Sequence, residues 1–273
     1  MNKEDFFIKQ FSNSKFIGDD GAVIGNNVYS QDAFFENIHF KTSWMSLKQI
    51  AQKAMLVNIS DAIVMNAIPK YALLTVAIPS TYNKKDLKEL ASGFKKVAEK
   101  FNIEIIGGDT ISNNKLDISV TIISKTKNPV FRTGTNKGDL ICYTGKLGSC
   151  KKDLELLLEG KTVAKKSKFI QPRLNAQFFY EIAPFINSAL DISDGLFFEL
   201  ERLSKSNKIG FEFFDTIDNS VGCSGEEYEV LFTYSDKNRK KIESIAKKHD
   251  ITLNTFAKAI SGKYKCECKN HHF

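Results

Sequence analysis

The sequence predicts a two-domain α/β protein, because helical and extended segments alternate along a chain that is too long for one typical domain. The chain has 273 residues and 42% hydrophobic content, which is enough to bury more than one core. Apolar residues recur every three or four positions in some segments and alternate with polar residues in others, as in helices and strands respectively. Residues 126–138 read as a loop, so we place the domains at 1–133 and 134–273.

Two segments show these periods most clearly. Residues 83–101 repeat apolar side chains at steps of three and four behind Asn83, which predicts a capped amphipathic helix. Residues 116–122 alternate apolar and polar side chains, which predicts a strand with one buried face. The other predicted helices are Leu47–Asn66, Lys152–Leu158, Asn175–Ile182, Gly195–Ser204 and Lys237–His249. The other predicted strands are Val28–Ser30, Tyr71–Ile78, Glu104–Ile106, Asp139–Thr144, Ser188–Ile192 and Glu229–Thr233.

Charge and composition limit the function. The 39 basic and 32 acidic residues give a net charge of +7, but the lysines fall in short groups on helical segments, which favours solvated helix faces over a nucleic-acid surface. No stretch resembles a membrane span or a secretion signal. Five cysteines, an odd number in a long chain, favour reduced thiols over a disulfide framework. We therefore expect a cytoplasmic protein without nucleic-acid or membrane partners.

Two acidic positions near the start are candidates for a metal site. Asp20 lies in Gly-Asp-Asp-Gly, where glycines let a hard cation approach the carboxylates, although turns are also rich in these residues. Asp32 follows a short predicted strand, a position equally common for metal ligands and for surface acids.

Two further acids lie at less ordinary positions. Asp61 lies three residues after Asn58 within a predicted helix, where aspartate is unfavourable unless another interaction compensates for it. A solvated helix face is the alternative. Asp109 follows Gly107 and Gly108 at the end of a predicted strand, where backbone N–H groups could close on a phosphate, or where the chain could simply turn.

The second half contributes the remaining acids. Asp191 and Ser193 share one face at the end of a strand, and Asp194 begins a helix, so Asp194 could also be an ordinary helix cap. Residues 224–232 form an acidic loop that runs into an apolar strand.

Six motifs occur in order over residues 18–233: GDDGAV, QDAFFENIHF, NISDAIVMNAIP, IIGGDT, LDISDGL and GEEYEVLFT. This ordered set resembles the thiamine-monophosphate kinases, within the superfamily of aminoimidazole ribonucleotide synthetase. The resemblance implies Mg²⁺-dependent, in-line phosphoryl transfer from ATP to thiamine monophosphate. It also implies the two-domain α/β (α+β) fold of that superfamily, with a homodimer in which first-domain strands of two chains pair into a barrel.

The resemblance also assigns roles to individual residues, with no nucleophile or general base. It implies metal ligands at Asp20, Ser30, Gln31, Asp32, Asp61, Asp109, Asp191 and Asp194. It implies nucleotide contacts at Gly108, Asp109, Arg132 and Ser193. It implies thiamine contacts at His39, Glu227 and Phe273.

The chain departs from the family pattern around the substrate. Gln31 replaces the usual Ser or Thr, Ser224 to Tyr228 replace Gly-Gly-Glu-Asp-Tyr, and the chain ends in Asn-His-His-Phe where a Trp is expected. Two alternatives therefore stay open, namely an ATP-using enzyme of the same superfamily with another acceptor, and a non-catalytic nucleotide-binding regulator.

Overall fold

The computed structural model describes residues 3–11 and 13–268. Its first half holds a five-stranded sheet in the order β1-β2-β5-β3-β4, in which only β3 and β4 pair in parallel. The strands are β1 (Ala22–Ile24), β2 (Asn27–Phe35), β3 (Ile68–Pro79), β4 (Glu104–Asn113) and β5 (Asp117–Lys125). The helices of this half are α1 (Lys3–Lys9), α2 (Leu47–Val64) and α3 (Lys84–Phe101).

The second half holds an antiparallel sheet in the order β7-β9-β6-β10-β8. The strands are β6 (Leu140–Thr144), β7 (Ser188–Asp191), β8 (Ile209–Phe213), β9 (Val230–Tyr234) and β10 (Leu253–Ser261). The helices are α4 (Ser149–Leu158), α5 (Ala176–Ile182), α6 (Leu196–Asn207), α7 (Asn219–Gly222) and α8 (Arg239–Lys248). None of the described helices is both long and apolar enough to cross a bilayer.

Helix α2 is the central element of the molecule. It begins at a capping box, in which Ser46 accepts from the Gln49 N–H and Gln49 accepts from the Ser46 N–H, so two otherwise unpaired donors are satisfied. Almost every residue from Ile50 to Val64 is buried, because α2 packs on β2, β3, β5 and α3 and also on β7 and α5. Gly93 permits the close approach of α3, since a Cβ there would lie 2.3 Å from the Lys48 carbonyl oxygen.

The largest hydrophobic cluster joins both halves. It runs from Phe34 through α2, α3 and β5 to α5, α8 and one face of the second sheet. A second cluster packs α6 on the other face of that sheet, around Leu190, Leu200 and Leu231. The second sheet is therefore covered on both faces.

Most predicted elements are confirmed, with shifted ends. Asn83 caps α3 in a capping box, and the apolar positions of β5 from Ile118 to Ile122 are fully buried. Two of the extended strands bear on the site: β2 continues to Phe35, so Asp32 lies inside it, and β4 continues through Asp109 to Asn113. The sequence pattern missed β1, β8 and β10.

Strand β4 is also not the buried strand that its isoleucines suggested. It lies at the edge of the sheet, and its residues are exposed up to Ser112. Gly108 allows β4 to lie close to β3, since a Cβ at this position would lie 1.8 Å from the Leu74 carbonyl oxygen. The alternative of a turn at Gly-Gly-Asp is excluded, because β4 continues through these residues to Asn113.

The cysteine prediction is wrong for one pair. Cys223, after α7, and Cys268, beyond β10, form a disulfide with their Cα atoms 5.7 Å apart. Cys142, Cys150 and Cys266 are free and buried. The count of cysteines could not show that the segment after β10 folds back over α6, where the Tyr264 N–H donates to Ser204 Oγ and the Cys266 N–H donates to Glu201.

Candidate active site

Three carboxylates from distant parts of the chain meet beside α2. Asp20 lies in the loop before β1, Asp61 lies on α2, and Asp191 ends β7. One oxygen atom of each lies within 4.8 Å of the corresponding atoms of the other two. Like charges repel strongly at such distances, so the fully ionised cluster is unfavourable without a cation among the oxygens.

A fourth carboxylate, Asp32 of β2, lies within hydrogen-bonding reach of Asp61. Burial, followed by the charges of Asp20 and Glu226, raises the pKa of Asp32 to about 6. Burial and the neighbouring carboxylates also raise the pKa of Asp61 and that of Asp191 well above the usual range. Without a cation, protons have to neutralise part of this negative charge.

The oxygen atoms of this cluster suit a divalent cation. Ser60 hydrogen-bonds to Asp191 and Arg132 pairs with Asp20, yet Oδ2 of Asp20 and Oδ2 of Asp191 are buried without a hydrogen-bond partner. Magnesium prefers carboxylate oxygens and keeps its remaining positions for water and phosphate oxygens. The residues present therefore fit magnesium, and both unpartnered oxygens would gain a ligand bond.

Two arginines stand beside the acids. The Arg132 N–H donates to Asp19, with 3.0 Å to Oδ2, and its guanidinium pairs with Asp20. Burial lowers the pKa of Arg132, but the charge of Asp20 and its hydrogen bond raise this pKa by more. Arg202 donates to both oxygens of Glu199, at 2.7 and 2.8 Å, and also pairs with Asp194. Both guanidinium groups are thus fixed by carboxylates at the cavity, where they could bind an anionic ligand.

Asp194 is not a side-chain cap of helix α6, although the sequence allowed that role. Gly195 is the N-cap of α6, and no side-chain cap hydrogen bond forms there. Asp194 instead faces the cavity next to Ser193.

A cavity of about 710 Å³ opens over these groups, within the range of small-molecule sites. The predicted site residues that line it are Asp20, Gln31, Asp32, His39, Asp61, Arg132, Asp191, Ser193 and Asp194.

Ser30 and Gln31 make other bonds in the sheet. Ser30 is buried and its hydroxyl donates to Asn58 Oδ1 at 2.6 Å. Asn58 is itself fully buried and donates to the Val120 carbonyl oxygen, so the solvated helix face considered for this part of α2 is wrong. Gln31 accepts from Thr121 Oγ1 at 3.1 Å. Metal coordination by Ser30 and Gln31 stays a prediction.

Gly108 and Asp109 are not brought to the cluster within one chain. Asp109 pairs with Thr75, Thr75 with Ser119, and Ser119 with Ala33. Asp109 is thus three strands away from the β2 strand that carries Asp32, or roughly 14 Å at the usual strand spacing.

The predicted substrate residues have different environments. His39 lines the cavity, accepts from the Phe35 N–H at 2.9 Å and stacks against Phe34 at 5.7 Å between ring centroids. Phe273 lies outside the described residues.

Glu227 is enclosed by protein. Its Oε1 accepts from the Gly148 N–H at 2.7 Å and from Ser224 Oγ at 2.7 Å, and its Oε2 lies 3.0 Å from Lys168 Nζ. The neighbouring Glu226, which sequence reasoning did not single out, lines the cavity and pairs with Lys53 at 2.7 Å. The positive φ angles of Glu226 and Tyr228 break the strand alternation, so the sequence pattern could not tell the two glutamates apart.

Sequence reasoning also missed Asp19, Lys53 and Arg202. Asp19 lines the cavity, and burial and Asp20 raise its pKa to about 6. A signal existed for Lys53, since a lysine within the apolar run of α2 requires a buried partner. Arg202 is an ordinary helix-surface residue by its sequence context.

Comparison with known proteins agrees with this geometry. Residues 18–126 match the family described as AIR synthase related protein, N-terminal domain. The thiamine-monophosphate kinase of Buchnera aphidicola subsp. Schizaphis graminum is 32% identical over 268 residues, which cover 87% of this chain and 82% of that protein. The chain belongs to the thiamine-monophosphate kinase family. Within this family, the protein of Aquifex aeolicus is 28% identical over 255 residues, 83% of each chain.

The fold of the family is confirmed by solved structures. AaThiL complexed with AMPPCP and TMP superimposes with a TM-score of 0.87 at 23% identity, over 100% of this chain and 99% of that chain. A HypE-HypF complex has the same fold more distantly, with a TM-score of 0.77 at 16% identity over 95% and 93% of the two chains.

Proposed function

We propose that this chain transfers the terminal phosphoryl group of ATP directly to the phosphate of thiamine monophosphate, giving thiamine diphosphate and ADP. The observation that carries the proposal is the convergence of Asp20, Asp61 and Asp191, with Asp32 beside them, in one cavity. Membership of the thiamine-monophosphate kinase family supports the choice of acceptor.

Magnesium would be held by these four aspartates, with Asp194 near a further ion. When bound, it supplies the positive charge that neutralises phosphate oxygens during transfer. Arg132 and Arg202 hold their guanidinium groups at the same cavity and would contact phosphate oxygens. No residue has to act as a nucleophile or base, because the acceptor phosphate is already an anion and the transfer depends on positioning.

We place the thiamine end of the acceptor near His39, Phe34 and Glu226, which all line the cavity. Glu226 takes the role that the sequence assigned to Glu227, because the carboxylate of Glu227 is already engaged by two N–H groups, Ser224 and Lys168.

The proposed dimer is supported by β4. As an exposed edge strand it presents unpaired backbone groups together with Ile106 and Ile111, which are 49% and 52% exposed. Such an edge favours pairing with another chain. We propose that a second copy covers it, and that Gly108 and Asp109 act at the junction between the two copies. Cytoplasmic location stays a prediction of the sequence.

A coupled ADP-release assay tests the function. Thiamine monophosphate, thiamine and other phosphorylated acceptors are compared with and without magnesium. We expect magnesium-dependent turnover with thiamine monophosphate alone. Turnover with another acceptor but none with thiamine monophosphate would refute the assignment, and ATP binding without any turnover would favour a regulator.

A further inference from the structure

Lys53 is a buried cation next to the proposed acceptor site. It is 0% exposed, and its Nζ lies 2.7 Å from Glu226 Oε2, as an ion pair rather than an aligned hydrogen bond. The ammonium also lies 3.9 Å from the ring centroid of Phe169 and 5.7 Å from that of Phe34. A buried ammonium is unfavourable unless an anion and aromatic faces compensate for its lost hydration. Glu226 is that anion.

The backbone is bent to bring Glu226 to this position. Glu226 and Tyr228 have φ angles of 60° and 50°, in the left-handed region that residues other than glycine rarely adopt. The Glu226 N–H donates to the Ser193 carbonyl oxygen at 2.6 Å, and the Tyr228 N–H donates to the Ile192 carbonyl oxygen at 2.9 Å. Strained backbone held by surrounding bonds is concentrated at functional sites.

Glu226 remains available to a ligand. Its side chain is 23% exposed, it lines the cavity with Phe34 and His39, and Tyr228 Oη is 3.3 Å from its Oε1. An uncompensated carboxylate here would repel the phosphates that both substrates carry. The buried Lys53 ammonium compensates for that charge. The Glu226 carboxylate can then still accept a hydrogen bond from the amino group on the pyrimidine ring of thiamine monophosphate.

We propose that Lys53 is a positioning residue, which holds Glu226 toward the thiamine end of the acceptor and thereby sets the affinity for that substrate. This inference rests on the function proposed above. Lys53 does not touch the reacting phosphates in this arrangement, so its loss acts on acceptor binding rather than on the transfer step.

The test is the Lys53→Met variant, which keeps the length of the side chain without its charge, with Lys48→Met as a matched control on the exposed face of the same helix. For Lys53→Met we expect the KM for thiamine monophosphate to rise roughly tenfold or more while kcat and the KM for ATP change less than about threefold. Calorimetric titration with thiamine monophosphate in the absence of ATP should show the same loss of affinity.

The variant overturns the inference if folded Lys53→Met has an unchanged KM for thiamine monophosphate, or if it loses affinity equally for both substrates. If Lys53→Met does not fold, Lys53→Gln decides in the same assays, because it removes the buried charge and leaves a neutral polar side chain next to Glu226. Absence of turnover in the unmodified enzyme refutes the proposed function and, with it, this inference. Normal turnover with an unaltered KM in the variant refutes the inference alone.

Discussion

The acidic cluster should destabilise the metal-free protein at neutral pH, and Asp32→Asn tests this directly. The pKa of Asp32 is raised from 3.8 to about 6, so the folded state holds its proton more tightly than the unfolded state does. The protonated Asp32 side chain therefore makes its full contribution to stability below pH 3.8, the pKa of the unfolded state. That contribution is lost as the pH rises through about 6, the pKa of the folded state. Above that pH the ionised carboxylate costs at most ~3 kcal/mol.

Asparagine removes this cost and can still hydrogen-bond to Asp61. Because part of the charge is screened by solvent in the cavity, we expect Asp32→Asn to stabilise the metal-free protein by ~1–3 kcal/mol at pH 7.5. This corresponds to a rise in Tm of roughly 2–5 °C for a chain of this size. At pH 4 the gain should largely vanish.

Thermal unfolding monitored by circular dichroism, with EDTA or with magnesium and ATP, provides the measurement. Magnesium and ATP should raise the Tm of the unmodified protein much more than that of Asp32→Asn, and the variant should lose most kinase activity. Asp215→Asn, at an exposed position, is the control and should change neither property. A metal-free Asp32→Asn protein that is less stable than the unmodified one at pH 7.5 would refute the reasoning.

Three further predictions concern other parts of the molecule. Glu227→Ala should lower the free energy of unfolding by ~3–5 kcal/mol, because it leaves the buried Gly148 and Cys150 N–H groups without an acceptor and takes one of two carboxylates from Lys168; urea unfolding measures this, and a change below ~1 kcal/mol would contradict it. Cys223→Ser should cost ~2–4 kcal/mol by opening the loop closed with Cys268, and a reducing agent should lower the Tm of the unmodified protein but not of the variant. Ile111→Lys should shift the protein from dimer to monomer in analytical ultracentrifugation, since it charges the exposed edge of β4; an unchanged dimer would place the interface elsewhere.

The sequence alone predicts the elements with strong periodicity and the acids in unfavourable places. Asp61 is the clearest case, because an aspartate inside an apolar helix requires compensation, and the structure brings it to Asp20 and Asp191. Its neighbour Asn58 has the same spacing signal but forms structural hydrogen bonds to Ser30 and Val120. Sequence spacing identifies buried polar groups and does not tell ligands from structural residues.

The features that the sequence does not predict depend on contacts between segments that are distant along the chain. The position of Glu226 at the cavity depends on two residues with positive φ, Glu226 and Tyr228, which no hydrophobic period records. The edge position of β4 follows from the strand order, since its isoleucines suit a buried strand equally well. The Cys223–Cys268 bond depends on a return path of the chain across α6.

Because α2 is buried on all sides, cutting the chain into two fragments would expose part of this helix. A fragment that ends near residue 133 would leave the side of α2 that packs on β7 and α5 in water, while the remainder would lose the surface that covers Phe178 and Phe179. Neither fragment should fold alone, yet the two mixed together have a reason to associate, because each completes the other's hydrophobic core. Since Asp20, Asp32 and Asp61 come from one fragment and Asp191 from the other, kinase activity restored on mixing would report that association.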